Sequence, residues 1–124
     1  MAKILIVDDD QDIRDSVRMV LESKGYEVVE ASNISKAEEI IHSVGLDLIM
    51  LDIMMESPDD GITLAHKIKK EGISVPIVML SGVSQVTGYH YGKCDEVLPC
   101  TEFLEKPITP EELLRKVENI LENE

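Results

Sequence analysis

The feature that most constrains this chain is a short apolar run near its N-terminus that ends in consecutive carboxylates. Lys3–Val7 reads KILIV, and the acidic triplet Asp8–Asp10 follows it directly. A run this apolar is typical of a strand buried on both faces of a parallel sheet. In open α/β sheets, ligands bind beyond the carboxyl ends of the strands. The acidic triplet is therefore predicted to lie where a binding site would form.

Three later apolar runs also end at a polar or charged residue. The first leads into Asp52, the second into Ser81 and the third into Lys106. Strands that alternate with helical periodicity imply a parallel sheet covered by helices on both faces. The sequence thus predicts a doubly wound, flavodoxin-like (βα)5 fold with strand order 2-1-3-4-5. In that order the first and third strands are neighbours, which brings Asp8 and Asp9 close to Asp52.

The rest of the chain fits this repeat except in one stretch. Predicted strands lie at about 3–7, 26–30, 47–51, 77–80 and 102–105. Glycines and a proline interrupt any helical pattern at 82–99, so we expect an irregular fourth helix region there. Thr109, Pro110 and Glu112 form a strong start for the final helix. We expect a single domain over residues 1–124, without a separate effector domain.

Charge and composition narrow the range of partners. The 124 residues carry a net charge of −13. This charge disfavours direct binding to nucleic acids or anionic membranes, because both require a basic surface. No apolar run reaches roughly 18 residues and no signal peptide is visible, so we expect a cytoplasmic protein without a membrane contact. Cys94 and Cys100 match no zinc-binding spacing and are expected to be inert thiols.

Carboxylates that converge at one sheet edge need a positive charge between them. Two carboxylates about 4 Å apart repel by roughly 4 kcal/mol at an effective dielectric of about 20. A divalent cation, assisted by Lys106, would offset this repulsion, and oxygen ligands suit Mg²⁺ or Mn²⁺. A carboxylate can also act as a nucleophile toward a phosphoryl group.

The residue types favour a different role at each strand end. Asp52 stands alone after a central strand and is the predicted phosphoryl acceptor. Asp8 and Asp9 are adjacent and are predicted to hold the metal. Ser81 would donate a hydroxyl hydrogen bond to the phosphoryl group. The hypothesis is a metal-dependent phosphoryl-accepting site.

Four motifs at the strand ends resemble the receiver domain of two-component response regulators. They are ILIVDD at 4–9, LIMLDIMM at 48–55, VMLSG at 78–82 and FLEKP at 103–107. The resemblance covers the whole chain, with the motifs in the family's order. It implies a phosphoacceptor signalling switch of a two-component or phosphorelay system rather than an enzyme.

The resemblance also implies how the site works. A sensor histidine kinase or a histidine phosphotransfer protein would donate the phosphoryl group to Asp52, giving an aspartyl phosphate. The Mg²⁺ ligands would be Asp9, Asp52 and the backbone carbonyl of Met54, with Asp8 acting through water. The family's cis peptide before Pro107 would direct the ammonium group of Lys106 toward the site.

The resemblance further implies a route from the site to a partner. Ser81 and Phe103 correspond to the residues that move together on activation, and the 82–124 face would contact a downstream protein. The chain departs from the family pattern at Glu56, where proline is usual, and in a longer interval that falls at 82–99. These departures concern the partner-binding face rather than the phosphorylation chemistry.

Two other functions are compatible with parts of the sequence. Haloacid-dehalogenase-type phosphatases also open with a strand and an Asp-x-Asp pair, here Asp8 and Asp10, but they do not need Asp52 as an acceptor. A phosphorylation-independent binding module would keep the fold without the chemistry. Labelling of Asp52 rather than Asp8 by a small phosphodonor would separate these functions.

Overall fold

The computed structural model describes residues 2–52, 60–82, 101–106 and 108–122. In this part of the chain the structure has five strands and four helices, and a helix follows every strand except the fourth. The strands are β1 (Lys3–Val7), β2 (Glu27–Ala31), β3 (Leu48–Asp52), β4 (Ile77–Gly82) and β5 (Glu102–Lys106). The helices are α1 (Gln11–Glu22), α2 (Ile34–Ser43), α3 (Asp60–Lys70) and α4 (Pro110–Glu122). The predicted irregular helix region lies, beyond Gly82, outside the described residues.

The strands form one parallel sheet in the order β2-β1-β3-β4-β5. This confirms the predicted fold class and strand order. β1 therefore lies between β2 and β3, with Val7 opposite Leu51. The carboxyl ends of β1 and β3 are adjacent as a result, and they form the floor of the predicted site.

Both faces of the two central strands are buried. On one face of the sheet, Leu5, Val7 and the neighbouring residues of β3 pack against α2 and α3. On the other face, Ile4, Ile6 and the neighbouring residues of β3 pack against α1 and α4. Alternation along a strand sends successive side chains to opposite faces, which explains why Ile4–Val7 is apolar throughout. Each fully buried side chain of this type contributes roughly 1.5–3 kcal/mol. The strand ends that carry the acidic residues are therefore rigidly supported.

Side-chain caps set the starts of three helices. Asp10 accepts a hydrogen bond from the backbone N–H of Asp12 over 2.9 Å at the start of α1. Asn33 caps α2 in the same manner. At α4 the hydroxyl of Thr109 accepts from the backbone N–H of Glu112 over 3.2 Å. The Thr109 contact confirms the predicted start of α4, and Asp10 and Asn33 are residue types that commonly cap helices.

The C-terminal ends of β4 and β5 differ from the prediction. The apolar pattern ended β4 at Leu80 and β5 at Glu105, whereas the strands continue to Gly82 and Lys106. Backbone pairing between the two strands extends through these residues. Such pairing depends on a neighbouring strand, so an apolar pattern within one segment could not reveal it.

None of the helices in the described part of the chain has the length and apolar character that a membrane crossing requires.

Candidate functional site

Three carboxylates meet at the carboxyl edge of the sheet. Asp8, Asp9 and Asp52 each present one oxygen, and these oxygens all lie within 4.8 Å of one another. Asp8 and Asp52 are 0% and 1% exposed, whereas Asp9 is open to solvent. The structure thus brings together the three acidic residues that the sequence predicts to converge.

The sheet and the following turn determine where these carboxylates lie. Val7 pairs with Leu51, and the next residues along the two strands are Asp8 and Asp52. The backbone N–H of Asp8 donates to the carbonyl of Ala31 on β2 over 3.2 Å. The carboxylate of Asp8 accepts from the backbone N–H of Asp10 over 2.9 Å. Parallel pairing and a short hydrogen-bonded turn therefore bring the acidic side chains together.

A divalent cation fits this set of donors. The cluster offers only carboxylate oxygens, which are the ligands that Mg²⁺ and Mn²⁺ prefer. Two of the three carboxylates are almost completely buried, so water cannot screen their mutual repulsion well. An open edge at Asp9 leaves room for the waters that Mg²⁺ usually keeps.

Asp10 has a different role from its two neighbours. It is exposed, and its side chain caps α1 instead of joining the acidic cluster of the described residues. A phosphatase mechanism would use Asp8 and Asp10 together. In this structure Asp8 belongs to the acidic cluster, whereas Asp10 caps a helix.

The backbones of β4 and β5 reach the same edge. Asp52 pairs with Leu80, so Ser81 follows at the end nearest the acidic cluster. Ser81 pairs with Glu105, and Gly82 pairs with Lys106. The side chains of Ser81, Lys106 and Phe103 lie outside the described part of the structure, as do Met54, Glu56 and Pro107. The predicted roles of these residues stay predictions.

Arg14 contacts the site although the sequence reasoning did not select it. Its Nη1 donates to the backbone carbonyl of Asp8 over 2.7 Å, and its Nε donates to Oε1 of Glu30 over 3.1 Å. Arg18 also pairs with Glu30, and the side-chain hydrogen bonds to Glu30 and then Glu22 raise the pKa of Arg18. No pattern within α1 or β2 alone predicts these contacts, because they join separate segments that only the fold brings together.

Comparison with known proteins identifies the same kind of domain that the site residues indicate. The profile of the response regulator receiver domain matches residues 4–118. The phosphate regulon transcriptional regulatory protein PhoB of Pseudomonas aeruginosa is 35% identical over 124 residues, covering 95% of this chain and 51% of that protein. The nisin biosynthesis regulatory protein NisR of Lactococcus lactis is 37% identical over 126 residues, covering 98% of this chain and 51% of that protein. The chain spans about half the length of the curated relatives it matches.

Solved structures of receiver domains are similar along their whole length. The receiver domain of NtrX from Brucella abortus is 32% identical, with a TM-score of 0.80 and coverage of 98% of this chain and 99% of that one. The chemotaxis protein CheY4 of Vibrio cholerae is 27% identical, with a TM-score of 0.79 and coverage of 98% and 99%.

The chain belongs to the response regulator receiver domain family. It is a receiver domain of two-component systems, a class of regulatory phosphoacceptor domains that generally bind Mg²⁺ at an acidic pocket. The comparisons support neither the phosphatase nor the phosphorylation-independent binding module.

Proposed function

We propose that Asp52 accepts the phosphoryl group in a Mg²⁺-dependent reaction and that its phosphorylation switches the surface that a partner recognises. The observation that carries this proposal is the meeting of three carboxylate oxygens within 4.8 Å at the ends of β1 and β3. Among them, Asp52 is the last residue of a strand flanked on both sides. A rigid position suits a nucleophile, since phosphoryl transfer depends mainly on positioning and charge neutralisation.

The reaction forms one bond to Asp52 and breaks one bond to the donor. A carboxylate oxygen of Asp52 attacks phosphorus, and the donor's bond to phosphorus breaks with its electron pair remaining on the donor. When the donor is a phosphohistidine, the imidazole leaves; when it is acetyl phosphate, acetate leaves. The product is an aspartyl phosphate.

The remaining predicted residues would hold the metal and add positive charge beside the acceptor. Asp8, Asp9, Asp52 and the backbone carbonyl of Met54 would hold the metal, with Asp8 acting through water. A bound divalent cation would neutralise charge on the transferring phosphoryl group. Lys106 would add a second positive charge to that group.

Ser81 and Phe103 would relay the change. The backbone of Ser81 lies on β4 beside β5, where Phe103 pairs with Met79. A hydroxyl that moves to the phosphoryl group would thus act next to the strand that carries Phe103. The 82–124 face, which includes β5 and α4, would present the result to a downstream protein.

The partners follow from the family and from the charge of the chain. Response regulators receive their phosphoryl group from histidine kinases, so a sensor kinase or a histidine phosphotransfer protein is the proposed donor. The net charge of −13 favours basic partner surfaces and disfavours direct contact of this domain with nucleic acid. A cytoplasmic location and a single domain over 1–124 remain predictions, the latter supported by the family match over 4–118.

The test is the intact mass of the protein after incubation with acetyl phosphate and MgCl₂. The native chain should gain one phosphoryl group, and Asp52→Asn should gain none. Asp10→Asn is the matched control, because asparagine caps a helix as well as aspartate and Asp10 is outside the cluster. It should be phosphorylated like the native chain. Phosphorylation of Asp52→Asn, or none of the native chain, would refute the proposal.

A further inference from the structure

The peptide that joins Asp8 to Asp9 is held by a side chain of α1. Arg14 donates to the carbonyl of Asp8 over 2.7 Å and to the carboxylate of Glu30 over 3.1 Å. We call this arrangement of the Asp8 carbonyl, Arg14 and Glu30 the Arg14 bridge. The Asp8 carbonyl and the Asp9 amide belong to one planar peptide. The bridge therefore fixes the link between two carboxylates of the acidic cluster.

Both backbone groups of Asp8 are anchored on β2. Its N–H donates directly to the carbonyl of Ala31, and its carbonyl is tied through Arg14 to Glu30, the residue before Ala31. The side chains of Arg14 and Glu30 are only 14% and 23% exposed. Both contacts are charge-assisted hydrogen bonds from one planar guanidinium group, and this geometry makes them directionally specific. The edge strand thus acts as a support for the turn after β1.

We propose that Arg14 is a positioning residue for the divalent cation, holding Asp8 and Asp9 in the arrangement that binds Mg²⁺ together with Asp52. This inference rests on the proposed function, because it concerns the metal of the same site. Mg²⁺ requires near-ideal octahedral geometry, so a small rotation of the Asp8–Asp9 peptide weakens binding. Residues that orient metal ligands typically change metal affinity by about 10–100-fold when replaced.

The sign of the effect separates positioning from simple electrostatics. Arg14 is a cation beside an acidic cluster, so by charge alone its removal strengthens the attraction for Mg²⁺. Loss of the bridge acts in the opposite direction, because the carboxylates are no longer held in place. Arg14→Met keeps much of the side-chain volume and removes all hydrogen-bond donors. Its Mg²⁺ affinity should therefore rise if Arg14 acts only through its charge and fall if Arg14 positions the carboxylates.

The experiment is a titration of the full chain with MgCl₂, followed by ¹⁵N–¹H NMR of the amides around the cluster. Arg14→Met is expected to bind Mg²⁺ about 10-fold more weakly than the native chain. Arg18→Met is the matched control, since Arg18 lies on the same helix and also pairs with Glu30, while its other hydrogen bond is to Glu22 rather than to Asp8. It removes the same charge and is expected to leave Mg²⁺ affinity within about twofold of native.

Two further measurements exclude a merely structural explanation. In the metal-free protein, the ¹⁵N shift of Asp9 reports hydrogen bonding of the Asp8 carbonyl, and it should move in Arg14→Met but not in Arg18→Met. Urea unfolding gives the stability of each variant separately. Arg14→Lys, a milder change, keeps the charge but lacks the planar fork, and it should still bind Mg²⁺ several-fold more weakly than native.

The outcomes are distinct. A folded Arg14→Met or Arg14→Lys that binds Mg²⁺ as tightly as the native chain, or more tightly, overturns the positioning role and leaves the proposed function intact. Equal weakening in Arg14→Met and Arg18→Met overturns it as well. A native chain that does not bind Mg²⁺ at all refutes the proposed function itself, and with it the role of the bridge.

Discussion

Replacement of Asp52 by asparagine is expected to stabilise the metal-free protein, even though it removes the proposed acceptor. Asp8 and Asp52 are almost completely buried, and their oxygens lie within 4.8 Å of each other. At that separation two unit charges repel by about 3.5 kcal/mol when the effective dielectric is about 20. Structural relaxation and the hydrogen bonds of the carboxylate reduce the net gain, so we expect an increase of about 1–3 kcal/mol in the free energy of unfolding.

The assay is urea unfolding followed by circular dichroism, in EDTA and again in MgCl₂. The native chain should become more stable with Mg²⁺, by about 2.7 kcal/mol when the free metal is about 100 times its dissociation constant. Asp52→Asn should lose most of that metal-dependent gain. Asp15→Asn, an exposed carboxylate on α1, is the control and should change the stability by less than about 0.5 kcal/mol in either condition.

Easier unfolding of Asp52→Asn than of the native chain in EDTA would contradict this prediction. That result would mean that the carboxylate of Asp52 contributes more through its contacts than it costs through repulsion. The acidic cluster would then be an internally compensated structure, and a cation would not be needed to hold its members together.

Two further predictions concern titration and packing. Partial burial raises the pKa of Tyr26, and Glu118 and Glu122 raise it further, so the folded chain binds the phenolic proton more tightly than the unfolded chain. Stability from this group should be complete below the ordinary tyrosine pKa of about 10 and fall as the pH rises through the folded value; Tyr26→Phe should lose this slope in urea unfolding at alkaline pH. Leu21→Ala, at a fully buried position of α1, should cost about 2–5 kcal/mol, whereas Met19→Ala, at a position 72% exposed, should change stability by less than about 0.5 kcal/mol.

Sequence reasoning predicted the fold because the apolar pattern and the sheet topology are strongly linked. A run such as Ile4–Val7 has no polar face, so it can only be buried on both sides. Alternation with amphipathic helices then leaves few possible topologies. The observed order β2-β1-β3-β4-β5 follows, and so does the meeting of Asp8, Asp9 and Asp52.

Features that depend on contacts between distant segments could not be predicted from the sequence. Arg14 and Glu30 are 16 residues apart and belong to a helix and an edge strand. Nothing in either segment alone shows that their side chains meet, or that Arg14 reaches the carbonyl of Asp8. The continuation of β4 through Ser81 has the same cause, since it depends on pairing with β5.

Similar residues in one short motif can have separate functions. The acidic triplet reads as three equivalent carboxylates, yet Asp8 is buried in the cluster, Asp9 is exposed within it, and Asp10 caps α1. The direction of each side chain depends on where β1 ends and α1 begins. A one-residue change in either boundary would give the triplet a different set of roles, which explains why position in the fold decides the chemistry here.

The central claim is that Asp52 receives the phosphoryl group, and site-specific reductive trapping tests it most directly. Borohydride reduces an acyl phosphate to an alcohol, so the phosphorylated residue is marked as homoserine and can be located by peptide mass spectrometry. After treatment with acetyl phosphate and MgCl₂, we predict homoserine at position 52 and unmodified aspartate at positions 8 and 9. Homoserine at position 8 or 9, or at no position, would contradict the account.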